Sequence, residues 1–174
     1  EKGALPLGAA LAEEGPAYWD RVVHKMHHRP HYLDSFLAGL KRDAYRRLID
    51  GWGGAPQTGP VLKTDLFEEA MGPDAFFWDL KRPSNALVGI DISPAMAAQA
   101  QRQATAAGVL AHCVAADVRH LPFSCRSLKL VVSPSTLDHF VDPADFGRSL
   151  QELDRVLAPD GRLIVTLDNR QNLF

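Results

Sequence analysis

The sequence predicts an α/β fold in which a mainly parallel sheet is flanked by helices and preceded by a helical cap. Three observations carry that expectation. From Val61 onward, short apolar runs alternate with helix-length polar stretches. The runs are apolar nearly throughout, as strands buried on both faces of a parallel sheet must be. Before Val61, apolar residues recur instead at helical spacing.

Taken in order, the apolar run Leu5 to Ala12 is too short to span a bilayer, and acidic residues follow it without a cleavage site. A weakly structured start of a soluble protein is expected there. Trp19, Val22, Val23 and Met26 then define a first helix that Pro30 ends. A second helix, from about Leu33 to Ile49, puts Phe36, Leu37, Leu40, Tyr45 and Leu48 roughly on one side. "GGAPQTGP", 53–60, breaks the chain. The expected organisation is thus a helical cap over 1–55 and a sheet-bearing, ligand-binding part over 56–174, in one compact unit.

Strand one is expected in "PVLKTDL" (60–66), strand two in "ALVGIDI" (86–92) and strand three in "VLAHCVAAD" (109–117). Strand four follows in "SLKLVVS" (127–133) and strand five in "GRLIVTL" (161–167). Between strands two and three an alanine-rich helix has Ser93 as N-cap, Pro94 in its first turn and Gly108 closing it. A further helix in "PADFGRSLQELDRVLAPDG" would bury Phe146, Leu150, Leu153, Val156 and Leu157.

With 174 residues and 46% apolar content the chain suits one ordinary globular domain. Its net charge of -2 supplies no basic field for nucleic acid or an anionic membrane. Small-molecule chemistry or protein contact is expected instead. Cys113 and Cys125 make neither a disulfide framework nor a zinc set, which fits a reducing cytoplasm.

In open α/β sheets ligands bind beyond the carboxyl ends of the strands. Here those ends carry Asp65, Asp91, Asp117 and Ser133. If strands three, two and one are neighbours, three carboxylates gather at one crevice. Carboxylates accept hydrogen bonds and repel phosphate, so a nucleoside without phosphates or a cationic ligand suits the crevice better than ATP or NAD. Asp91 stands where an acidic side chain holds both ribose hydroxyls. The alternative is that these aspartates only cap helices.

"GIDISPAMAAQAQ", "AADVRHLPFSCRSLKLVVSPSTLDHF" and "LQELDRVLAPDGRLIVT" together resemble class I S-adenosylmethionine-dependent methyltransferases of the type 11 branch, across about residues 60–168. The resemblance implies a Rossmann-like fold with S-adenosylmethionine as cofactor. It implies that Asp91 binds the ribose hydroxyls and that Ile92 packs beside the adenine. It implies that Asp117 accepts from the adenine amine, that the Val118 amide meets the ring, and that Leu121, Pro122 and Phe123 shape its pocket. Ser133 to Phe140 would face the methyl group and its acceptor.

The departures from the family are as specific. An acidic residue and then G-x-G-x-G usually follow strand one, letting backbone approach the methionine end of the cofactor. This chain has "KTDLFEEAMG", with the acidic position falling on Lys63 or on Asp65. Asp65 in that role could reach the cofactor's ammonium group. Glu68 or Glu69 at a helix start favours the dipole. Lys129 replaces a usual Asp, and Asp160 the first of two usual glycines. The family's sheet also continues past strand five with a helix and an antiparallel pair. The expectation here is a sheet lacking its last two strands, with another copy or a partner subunit covering the edge.

Methyl transfer from a sulfonium chiefly needs positioning and exclusion of water. A base is needed only when the acceptor keeps its proton, and His139, with Asp138 to orient it, is the candidate. A surface histidine is the competing reading. His24, His27, His28 and His31 read as a solvated polar face, with no metal expected. Trp19, Tyr32 and Trp52 are candidate pocket or packing aromatics. The expected function is methyl transfer to a small-molecule acceptor; the alternative is a catalytically inactive binding or scaffolding protein.

Overall fold

A computed structural model of the chain describes residues 15–26, 34–52, 58–81 and 86–167. Helices α1 (Pro16–Met26) and α2 (Ser35–Trp52) precede strand β1 (Val61–Thr64). Helix α3 (Phe67–Met71) and a 3-10 turn (Phe77–Leu80) lead to β2 (Leu87–Asp91), then to α4 (Pro94–Ala106) and β3 (Ala111–Ala115). Strand β4 (Leu128–Pro134), a 3-10 turn (Leu137–His139), α5 (Pro143–Val156) and β5 (Leu157–Thr166) complete the order. All pairings are parallel, in the order β3-β2-β1-β4-β5. The predicted fold class holds, and strands three, two and one are neighbours.

Successive strand residues face opposite sides of the sheet, so adjacent positions feed different cores. Val61 joins Val23, Ile49, Ala70, Met96 and Ala100 in a cluster under α1 to α4, whereas Leu62 joins Ile90, Val131, Leu153 and Val156 under α5. Each fully buried Val, Leu, Ile or Met side chain in these clusters stabilises by about 1.5–3 kcal/mol. The second face is covered less completely than an all-apolar strand pattern suggests. No helix joins β3 to β4, so His112 is exposed and Val114 retains 44% of its surface.

The α4 cap forms as expected: Ser93 Oγ accepts from Met96 N, Pro94 opens the helix, and Gly108 follows it at φ 67. Asp20 of α1 accepts from Ser93 Oγ and Ala95 N, tying the first helix to that same terminus. Helix α5 ends at Val156, and Leu157 already belongs to β5. Its Leu150 is exposed, while Ser149 is buried with Oγ bonded to the Asp145 carbonyl at 2.8 Å.

Helix α2 corrects the expected cap packing. Phe36, Leu37 and Leu40 are exposed, at 71%, 48% and 49%. The inward stripe is Ala38, Lys41, Tyr45 and Ile49, at spacings of three and four. Ala38 and Ile49 are buried, Tyr45 stacks on Phe76 at 4.6 Å, and Lys41 ion-pairs with Asp74 and Glu68. Polar anchoring of Lys41 and Tyr45 therefore sets the rotation of the helix, turning the apolar ridge outward.

Gly89 of β2 lies beside Lys63 of β1, and a Cβ there would stand 2.4 Å from Leu66 Cδ2. Leu66 is completely buried and has no room to yield. Gly89→Ala is expected to destabilise by about 1–3 kcal/mol, read as a lower denaturant midpoint with an unchanged slope.

Candidate functional site

The chain moves from β1 to β2 to β3 on one side and then crosses to β4 on the other, so the order reverses between β1 and β4. A cavity of about 310 Å³ opens at the carboxyl ends there. Asp65 after β1, Asp91 and Ile92 at β2, Asp117 and Val118 after β3, and Thr136 after β4 all line it. The convergence expected of Asp91 and Asp117 is therefore realised in one hollow. Trp19 of α1, Tyr45 of α2, Phe67 at the start of α3 and the loop residue Phe140 complete its apolar walls.

Asp91 is fixed by two loops, Oδ2 accepting from Leu66 N after β1 at 3.0 Å and Oδ1 from Ser93 N after β2 at 2.9 Å. Burial pushes its carboxyl above the usual range, against the two amides that favour the charged form. Asp117 is held differently. Arg119 grips it with Nε at 3.0 Å from both oxygens and Nη2 at 2.6 Å from Oδ2, and reaches Asp145 with Nη1 at 2.8 Å. Burial works against ionisation of Asp117, but the Arg119 hydrogen bonds outweigh it and lower its pKa. The Arg119 guanidinium also lies 5.3 Å from the Phe140 ring centre.

The end of β1 is built on ions. Lys63 is completely buried and donates to Glu68 Oε2 at 2.8 Å, Glu69 Oε2 at 2.6 Å and the Asp65 carbonyl at 2.6 Å. Burial alone would depress its pKa, but Glu68 and Glu69 outweigh it and raise it. Glu69 Oε1 also accepts from Phe77 N at 3.0 Å. Asp65 takes a left-handed backbone, φ 75, and its side chain accepts from Phe67 N at 2.7 Å. A left-handed residue is what a glycine position requires, which puts Lys63, not Asp65, in the acidic register. Burial, with Glu68 nearby, pushes the Asp65 carboxyl well above its ordinary range.

Glu68 resists protonation. Burial pushes its pKa up, yet Lys63 and Lys41 together pull it down to about 2 from 4.5. The stability it contributes is complete above pH 4.5 and is lost as pH falls towards 2. About 3 kcal/mol is at stake over that window. The difference in unfolding free energy between the native chain and Glu68→Gln should accordingly shrink on acidification, as followed by denaturant titration at a series of pH values.

Ser133 corrects the expected cofactor set. It is fully buried off the cavity wall, accepting from Thr64 Oγ1 at 2.8 Å, and Thr64 also meets Thr136 Oγ1 at 2.8 Å. These hydroxyls stitch β1 to β4, and Ser135 and Thr136 face the hollow instead. Leu121 and Phe123 likewise pack away from it, into the α5 core, with their carbonyls held by Arg155 and the Leu121 amide by Glu152. His139 does line the cavity, its ring edge-on to Trp19 at 5.1 Å. Trp52 and His24 are exposed; Tyr32, His27, His28 and His31 lie outside the described residues. Lys41 and Tyr45 are absent from the expected site, and only the α2 stripe of spacing three and four could have pointed to them, whereas Thr136 lies within the Ser133 to Phe140 stretch expected to face the methyl group.

Residues 68–165 match the family described as a methyltransferase domain. The chain belongs to the class I, type 11-like methyltransferase family. As a methyltransferase domain it is 39% identical, over 85 residues, to a demethylmenaquinone methyltransferase of Thermus thermophilus, a match covering 49% of this chain and 37% of that protein. Its fold is similar to that of a SAM-dependent methyltransferase from Aquifex aeolicus, with TM-score 0.61, 15% identity, and 88% and 76% of the two chains covered. It is also similar to the PH0226 protein of Pyrococcus horikoshii, with TM-score 0.64, 22% identity, and 82% and 58% covered. The match to the Thermus relative thus spans little more than a third of that protein. Two departures of this methyltransferase domain compensate each other: Lys129 and Asp160 form an ion pair on its rim.

Proposed function

We propose that the chain binds S-adenosylmethionine in the cavity and transfers its methyl group to a small-molecule acceptor. The observation that carries this reading is the meeting of Asp91 and Asp117 on one hollow at the reversal of strand order. Asp91 would take the ribose hydroxyls, Asp117 the adenine amine, Val118 the ring through its amide, and Ile92 the ring face. Asp65, Glu68, Asp91 and Asp117 against Lys41 give the walls an acidic bias suited to a cationic cofactor.

The cofactor supplies an already activated methyl group, so this chain's residues position, shield and, where needed, deprotonate. Trp19, Tyr45, Phe67 and Phe140 would shield the reacting groups from water, in keeping with a small acceptor. The name of the Thermus relative points to a quinone-type acceptor of that kind. His139 would take the proton of an acceptor that retains one. Cys113 and Cys125 are both free thiols, in keeping with a cytoplasmic setting. Another copy or a partner subunit would cover the β5 edge.

The second reading, a catalytically inactive binding module, is favoured by the buried Lys63 in the acidic register and by Asp65, Phe67 and the buried glutamates in the stretch where the family carries its glycine loop. Calorimetric titration with S-adenosylmethionine and S-adenosylhomocysteine separates the two. Saturable binding that Asp91→Ala removes is expected; a native chain that binds neither nucleoside leaves the scaffolding role.

A further inference from the structure

The nucleoside half of the proposed ligand engages Asp91, Ile92, Asp117 and Val118, and none of these explains the far end of the cavity under β1. In related sheets a glycine loop brings backbone to that end. Here Leu66 N is committed to Asp91 and Phe67 N to Asp65, and the Phe67 and Glu68 side chains stand on the wall. With those two amides committed, the side chains on that wall are placed to take over recognition at this end.

We propose that Lys41 and Glu68 form a clamp for the amino-acid end of the ligand, Glu68 receiving the ammonium and Lys41 the carboxylate. The inference rests on the S-adenosylmethionine reading above. Both residues line the cavity, and they sit 3.0 Å apart, presenting opposite charges side by side as a zwitterion requires. Glu68 is oriented from below, Oε2 on Lys63 and Oε1 on Lys41, and is 3% exposed. An ionised carboxylate has about four acceptor sites, so these two bonds do not exhaust it. Lys41 approaches from α2, on a side chain 34% exposed, and its flexible stem and three N–H donors suit a carboxylate at the cavity mouth. Lys63 lies beneath the wall and is a positioning residue: it holds Glu68 ionised and aimed without touching the ligand.

The clamp distinguishes ligands by their tails. S-adenosylmethionine and S-adenosylhomocysteine carry the amino acid; 5′-methylthioadenosine carries the same nucleoside without it. Calorimetry of all three on the native chain, Lys41→Met, Lys41→Arg and Glu68→Gln is the test. Losing a charge-assisted contact should weaken the two amino-acid ligands about 10–100-fold in Lys41→Met and Glu68→Gln, with methylthioadenosine within about 2-fold of native. Lys41→Arg should keep most of the affinity.

Equal weakening of all three ligands, or of none, overturns the clamp while leaving the nucleoside site standing. A native chain that binds none of the three overturns the cofactor reading itself, and the clamp with it.

Discussion

Lys63→Met should destabilise the chain by about 3–5 kcal/mol, the usual effect of deleting one partner of a buried ion pair. Against a total stability of about 5–15 kcal/mol this is a large fraction. Glu68 keeps Lys41 in the variant, but Glu69 keeps only the Phe76 and Phe77 amides. Burial already holds the Glu69 pKa above its ordinary value even with Lys63 in place, and removing the lysine moves it further up. A carboxyl with a raised folded-state pKa stabilises below its unfolded value of 4.5 and loses that contribution as pH rises through the folded one. The deficit of the variant should therefore be largest near neutrality and shrink towards acid. Adding Glu69→Gln to Lys63→Met should restore a good part of the loss at neutral pH. Denaturant unfolding of native, single and double variants at two pH values checks both statements, and a pH-independent deficit would refute the account.

Asp91→Ala should act twice. It removes the carboxylate proposed for the ribose, and it orphans the amides of Leu66 and Ser93, both buried. Leaving a buried donor unsatisfied costs about 1–3 kcal/mol, so a stability loss of about 2–5 kcal/mol is expected alongside the loss of nucleoside binding. Asp91→Asn separates the effects: its one carbonyl oxygen can keep one amide, so it should recover part of the stability while remaining weak for ligand. Thermal unfolding together with calorimetry on both variants makes the comparison. Full binding by a folded Asp91→Ala chain would remove the ribose role.

The sheet and the acidic strand ends were legible because each depends on residues close in sequence. An apolar run marks β2, Asp91 terminates it, and Ser93 with Pro94 announces α4, all within a few positions. The rotation of α2 was not legible. Its inward stripe includes Lys41, which a reading by apolarity passes over, and that reading groups the exposed Phe36, Leu37 and Leu40 with the half-buried Tyr45 and Leu48. The register of "KTDL" was likewise open until the left-handed Asp65 backbone fixed it. That Lys63 would be buried could not be read from its neighbours, because its partners Glu68 and Glu69 come into reach only after the chain turns back into α3. Ser133 stands at the expected strand end but is buried beside Thr64, its hydrogen-bond partner on the neighbouring strand, and Thr64 reaches the cavity in its place.

The buried lysine with its two glutamates has a historical corollary. Exchanging Lys63 alone strands the Glu69 carboxylate in the interior, so a gradual drift back to a glycine-type turn that begins there must cross poorly folded intermediates. Lineages holding this arrangement should retain or abandon the three positions as a set, and Lys63, Glu68 and Glu69 become a heritable signature by which descendants of the same divergence could be grouped.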